Sequence, residues 1–154
     1  MKLRTSVLTL ALCFVAAAVS FAATDAQMGT WKLNEAKSKF SIKSRNNTVV
    51  YMAMGDSVMV TIDGVDADGK AVHSEWTGKF DGKDYPVTGD PTSDTRAYTQ
   101  LGDRSLTFAG KKGGKVTISG KIVVSADGKS RTVTSTSTDA AGKKAQSTAV
   151  YDKQ

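Results

Sequence analysis

His73 and Glu75 stand two residues apart, and His73 is the single histidine of the chain. On a strand that spacing puts both side chains on one face. One imidazole beside one carboxylate falls short of a zinc site and of a nucleophile with its base. No serine sits in a Gly-x-Ser-x-Gly elbow. The pair is expected to face water, on the strand face opposite Trp76. The acidic run from Asp63 to Gly69 suggests calcium instead. With Gly69 as the sharp-turn glycine, Asp66, Asp68 and Glu75 fall at ligand positions of a calcium loop. Gly64 then takes the first ligand position, Asp63 is out of register, and the flanks read as strands rather than helices. A hairpin turn is expected there. No catalytic residue, metal ligand or cofactor is expected, and the chain reads as non-enzymatic.

What remains is binding through shape. Large side chains recur on alternating segments, and a closed sheet would bring them to one interior. The candidate ligand-binding residues are Tyr51, Val60, Val72, Trp76, Phe80, Tyr98, Phe108, Ile118 and Tyr151. Cavities for small ligands are mainly apolar with a few placed polar groups, which suits this set. Met52, Met54 and Met59 could form a pliable mouth. The runs at 130–138 and 144–152 hold few large apolar residues, so the interior is expected to be polar and wet on that side.

The elements that must position these residues are strands. Val58, Val60 and Ile62 share one face of a run at 57–64. Val72, Trp76 and Phe80 share one face of 70–80, with His73, Glu75 and Lys79 on the other. Val116, Ile118, Gly120, Ile122 and Val124 share one face of 115–125. Period-two alternation means one buried and one wet face. Further strands are expected near 29–33, 47–54, 84–88, 94–100, 104–109, 130–138 and 144–152. Asp-Gly pairs at 63–64, 68–69, 81–82 and 127–128 predict tight hairpin turns, because both residues tolerate positive φ. One short helix is expected near 34–40, with Asn34 as its cap. The fold class is all-β, an antiparallel up-and-down meander of about eight to ten strands. Closure into a barrel removes the exposed edges; an open two-sheet sandwich is the alternative the same pattern allows.

Lys2 and Arg4 precede an apolar run from Ser6 to Ala22, and Ser20-Phe21-Ala22 offers small residues at a cleavage site. Residues 1–22 therefore read as a secretory signal peptide, with export to the periplasm or medium. A membrane anchor is the alternative, but the run is at the short limit for a span and polar chain follows at once. Cys13, the single cysteine, lies inside this run. Leu12 before it and apolar chain after it argue against a lipid anchor. Removing residues 1–22 from the 154 leaves 132, enough for one domain over 29–154 behind a short segment at 23–28. It would hold no disulfide and no thiol nucleophile. Loss of Lys2 and Arg4 takes the net charge from +6 to +4. The basic residues are scattered, with no aromatic-interleaved stripe of the kind nucleic acid requires. No membrane span is expected in the mature chain, and it is expected to be a monomer.

Gly29-Thr30-Trp31-Lys32-Leu33 resembles the Gly-x-Trp opening of the calycins, the lipocalins and intracellular fatty-acid-binding proteins. Ala149-Val150-Tyr151-Asp152-Lys153 resembles the fatty-acid-binding ending, Arg-x-Tyr followed by charges. The chain is also similar to small exported bacterial proteins with lipocalin-like barrels. The resemblance implies a barrel around an apolar cavity, with Trp31 at its narrow end and Gly29 before it. It implies that Arg131 packs across Trp31 as a barrel-closing residue. In the fatty-acid-binding proteins the Arg of Arg-x-Tyr helps hold the ligand carboxylate; here that position is Ala149, so Arg96 or Arg131 would have to substitute. The expected function is an exported binding protein holding a small apolar or amphipathic ligand in the lumen. The alternative is a protein–protein module, an exported hydrolase inhibitor acting through Thr24–Met28 or the Gly89–Asp94 loop.

Overall fold

The computed structural model describes residues 26–154. The proposed signal peptide, residues 1–22, lies outside the described residues. The chain folds as ten strands: β1 (Gly29–Lys39), β2 (Arg45–Met54), β3 (Ser57–Val65), β4 (Ala71–Gly78), β5 (Tyr85–Thr88), β6 (Thr95–Gly102), β7 (Ser105–Lys112), β8 (Lys115–Val124), β9 (Ser130–Thr138) and β10 (Lys144–Lys153). Each pairs antiparallel with the next, and β1 also pairs with β10, closing the barrel. The all-β meander legible in the sequence is therefore the fold, and the ladder from Trp31–Lys153 to Lys39–Thr148 excludes the open sandwich. It fits the calycin-like architecture that the two chain ends suggested.

The turns work through side-chain carboxylates and glycine. In the 66–70 turn the Asp66 carboxylate accepts the backbone N–H groups of Asp68 and Lys70, both at 2.9 Å. The 139–143 turn repeats this with Asp139, Ala141 and Lys143. Gly69 and Gly128 carry the positive φ of the Asp-Gly turns; Gly82 also has positive φ, but the expected tight turn at 81–82 is instead part of the connection 79–84, where Asp81 bridges to Thr99. Among the described residues no non-glycine has positive φ. The aspartates therefore act by accepting hydrogen bonds, not by entering the left-handed region.

Three further expectations are corrected. Asp63-Gly64 is no turn but part of β3. Its glycine lies beside a register shift in β2, where a Cβ would come 2.0 Å from the Arg45 carbonyl oxygen. The glycine serves close backbone approach rather than chain reversal. No helix forms at 34–40, because β1 runs on to Lys39. Asn34 still accepts from the Lys37 N–H at 3.2 Å, as a cap would. But its Nδ2 donates to Asp152 at 2.7 Å and Ser38 Oγ accepts from Val150 N at 2.9 Å, which ties the segment to β10 as a bulge. A helix of two turns has too few internal bonds to compete with the ladder that closes the barrel. Val116 leaves the inner face. A bulge between β7 and β8 pairs Gly110 with Ile118 but Lys111 with Val116, so the alternation flips and Val116 is exposed.

The register fixes which residues look inward, because residues directly opposite share a face. The interior holds Trp31, Val49, Tyr51, Val60, Ile62, Trp76, Tyr98, Leu106, Ile122, Val124 and Tyr151 as its buried cluster. On β8–β10 the inward rows are small instead: Gly120 faces Ser135, Ser135 faces Ser147, and Ser137 faces Ala145. These stay partly accessible to water. Strand β5 is the weak stave. It meets β4 at Glu75–Thr88 and Trp76–Val87, and β6 at Tyr85–Arg96 and Pro86–Thr95, with one further bond from Val87 N to the Asp94 carbonyl at 3.0 Å. Pro86 has no N–H to give the ladder.

Candidate functional site: the barrel interior

At one end the chain seals its own barrel. Trp31 is fully buried, and its Nε1 donates to the Gln27 carbonyl at 2.8 Å. Gln27 is itself buried, its Nε2 donating to the Arg104 carbonyl at 3.4 Å. Ala26 and Met28 pack against the core. The described part of the N-terminal segment is thus a plug, not a projecting arm. Arg131 lies over three rings, 4.9 Å from Trp31, 4.9 Å from Tyr51 and 5.0 Å from Tyr151. Lys153 covers Trp31 from another side at 5.2 Å. Met52, Met54 and Met59 are no part of a mouth. They sit on the outer face around the β2–β3 hairpin at this sealed end, and Met52 and Met54 are exposed.

The centre is aromatic. Trp76 and Tyr98 are 4.8 Å apart edge to face, and Trp76 and Phe80 stack at 6.3 Å. Tyr51 reaches Tyr98 at 6.3 Å and Phe80 at 6.4 Å, and Tyr98 reaches Phe108 at 6.2 Å. Edge-to-face and offset pairs of this kind add to the area they bury. Of the nine candidate lumen residues, Tyr51, Val60, Trp76, Tyr98 and Tyr151 are in the buried cluster, with Phe80 and Phe108 packed against it. Val72 and Ile118 lie on the inner face nearer the open end, opposite Gly64 and Gly110, and are half-buried.

A chain of polar groups runs through this apolar interior. Asp90 and Arg96 form an ion pair at 2.6 Å with side chains only 9% and 10% exposed. The charge of Arg96 acts on Tyr98 and Tyr51, and that of Arg131 acts on Tyr51 and Tyr151. Burial pushes the Tyr51 phenol upward, the neighbouring Tyr98 adds to this, and Arg131 partly offsets both. Burial likewise raises Tyr151 to about 12 against the opposing pull of Arg131. Both phenols therefore stay neutral donors at ordinary pH. Burial works against the charge on Arg96, but Tyr98 and Asp90 outweigh it and the group is held cationic. Among the described residues two arginines are buried, and Asp90 is the one carboxylate in an ion pair with either. Nε of Arg96 and both Nε and Nη1 of Arg131 are buried without an acceptor. Each such orphaned donor costs roughly 1–3 kcal/mol. A hollow of about 340 Å³, more open than enclosed, lies against β8–β10 at residues 119–121, 134–136 and 146–148, and its lining includes the exposed, outward-facing Ser119, Lys121, Thr134 and Gln146.

His73 and Glu75 are outside, on the wet face of β4. His73 is held between Asp63 at 2.6 Å and Glu75 at 3.2 Å, all three exposed. The two carboxylates approach opposite ring nitrogens, so the three cannot converge on one metal ion. Hydrogen bonding to Asp63, then to Glu75, raises the His73 pKa above its ordinary 6.5. A raised histidine stabilises the fold below the unfolded pKa, and this contribution fades as pH rises through the folded value. An NMR titration of His73 is expected to show a midpoint above 6.5, and Asp63→Asn is expected to bring it down.

Asp90 and Gln27 were not legible as interior residues. Asp90 lies in a Gly-Asp-Pro cluster that signals only a turn. The period-two spacing of Arg96 and Tyr98 was the one cue that Arg96 points inward.

No protein-family model matches the chain, and no curated protein matches it. Among solved structures it is similar to EF1p2_mFAP2b bound to DFHBI, at 13% identity over 86% of this chain and 98% of that one, with a TM-score of 0.49. It is similar also to a redesigned β-barrel, mFAP1, bound to DFHBI, at 13% identity over 86% and 99%, again with a TM-score of 0.49. Such a likeness says nothing about what this chain binds.

Proposed function

We propose that the protein is an exported, non-enzymatic carrier that holds a small amphipathic acid in its barrel. The observation that carries this reading is Arg131, a buried guanidinium with two N–H donors lacking any acceptor. A buried charge is ordinarily paired, and an interior with two guanidiniums and one paired carboxylate is one negative charge short. A carboxylate supplies both the charge and the acceptors. The aromatic cluster from Trp76 to Phe108 suits an apolar body, and the accessible serine-lined wall of β8–β10 suits a route in from water. Export rests on the proposed signal peptide. The inhibitor alternative draws no support from the N-terminal segment, whose described residues are packed beneath Trp31.

The test is native mass spectrometry of the mature protein purified from its own host, followed by solvent extraction. An acid that co-purifies and is released on unfolding would name the ligand class. A clean apo mass, together with no binding of C8–C16 carboxylates by titration calorimetry, would sink the reading.

A further inference from the structure

We propose that Asp90 is a built-in occupant of the Arg96 site, which an acidic ligand must displace, so that the Gly89–Asp94 loop gates the barrel. This rests on the acid-binding reading above and deepens it by adding Arg96 to Arg131 as a second contact, for an acid whose carboxylate lies between the two guanidiniums. Three observations converge on the loop. First, its carboxylate is inside: Arg96 Nη2 donates to Asp90 Oδ2 at 2.6 Å, both side chains nearly buried, while Arg96 Nε has no acceptor. A single-toothed grip on a group built for two leaves room for a better partner. Second, the loop spans the weak stave, since it joins β5 to β6, which meet at two residue pairs with one further bond from Val87 N to the Asp94 carbonyl at 3.0 Å. Third, the loop lies against the walls it would open. Ser93 is buried beside Gly110, where a Cβ would come 2.6 Å from its Oγ, and Gly89 crosses the His73 carbonyl at a place no side chain can occupy. Trp76 Nε1 donates to the Arg96 carbonyl at 2.9 Å, so movement of this strand end reaches an indole reporter.

The exchange moves no bond. The ligand carboxylate takes the Arg96 donors and the Asp90 carboxylate returns to water, so one carboxylate replaces another and the interior's net charge is unchanged. Asp90 Oδ1 also accepts from Thr92 N at 2.8 Å. An asparagine can keep that contact, so Asp90→Asn removes the charge and spares the turn.

The experiment is titration of the mature protein with dodecanoate and with dodecanol, read by calorimetry and by tryptophan fluorescence. Asp90→Asn is expected to bind dodecanoate about tenfold tighter than the parent and dodecanol equally well. It is also expected to lose thermal stability that dodecanoate restores. Asp103→Asn, which removes one carboxylate from the β6–β7 turn, is expected to leave both affinities unchanged. Dodecanoate affinity that is unaltered or weaker in Asp90→Asn, or raised equally in Asp103→Asn, overturns the gate. Should Asp90→Asn fail to fold, the Arg96 Nε–H resonance of the parent decides: a shift on adding dodecanoate supports exchange, and a fixed signal overturns it. A parent that binds no carboxylate ends the carrier reading and the gate together. Binding that depends on Arg131 but not on Asp90 ends the gate alone.

Discussion

Trp31→Ala is expected to destabilise the protein by about 3–5 kcal/mol, the cost of emptying a fully buried large aromatic site. Its ring is the floor on which Arg131 and Lys153 lie, and its indole nitrogen holds the Gln27 carbonyl. Removing it opens a cavity, leaves a buried carbonyl unpaired and strips one of three rings from a buried cation. Against a total of roughly 5–15 kcal/mol this is a large fraction, and the melting temperature should fall by roughly 10–25 °C. Urea unfolding followed by the remaining Trp76 measures it. A loss below about 1 kcal/mol would mean that the N-terminal plug seals the barrel without its tryptophan.

Arg131→Met is expected to separate stability from binding. Two opposed effects act on the empty protein. The arginine brings a buried charge with two orphaned donors, which costs several kcal/mol. Its stacking on Trp31, Tyr51 and Tyr151 returns roughly 0.5–2 kcal/mol for each well-placed ring. Methionine fills much of the volume without the charge. Stability is therefore expected to stay within about 1 kcal/mol of the parent or to rise, as replacement of buried charges by apolar groups often does. Affinity for dodecanoate should fall roughly 10- to 100-fold, the worth of about 1.5–3 kcal/mol for a hydrogen bond to a charged group. A variant that melts far below the parent would make Arg131 a structural clamp. One that keeps full affinity would place the acid elsewhere.

Much of the fold was legible because β-structure writes itself locally. Val58, Val60 and Ile62 alternate with polar neighbours, and all three are buried. The Asp68-Gly69 and Asp127-Gly128 pairs mark real turns, because a left-handed glycine and an aspartate acceptor act within a few residues. The failures are places where a distant strand overrides local preference. Asn34 keeps its cap-like bond to Lys37, yet β10 draws the segment into the ladder. Val116 has the right parity for the interior until a bulge beside Gly110 shifts it by one. Gly64 looks like half of a turn until β2 crosses over it.

The sequence by itself determined where the strands lie, most of their wet and dry faces, the thin side formed by β9 and β10, and the candidates Trp31, Tyr51, Trp76, Tyr98 and Arg131. Alternation and turn chemistry act over two to five residues, so they can be read without coordinates. Only the tertiary structure decided that Tyr51 of β2 meets Tyr98 of β6, that Gln27 lies beneath Trp31, and that Asp90 reaches Arg96 from a surface-looking turn. Those meetings depend on how the sheet curls and where β1 finds β10. Closure brings together side chains whose separation in the chain carries no local signal.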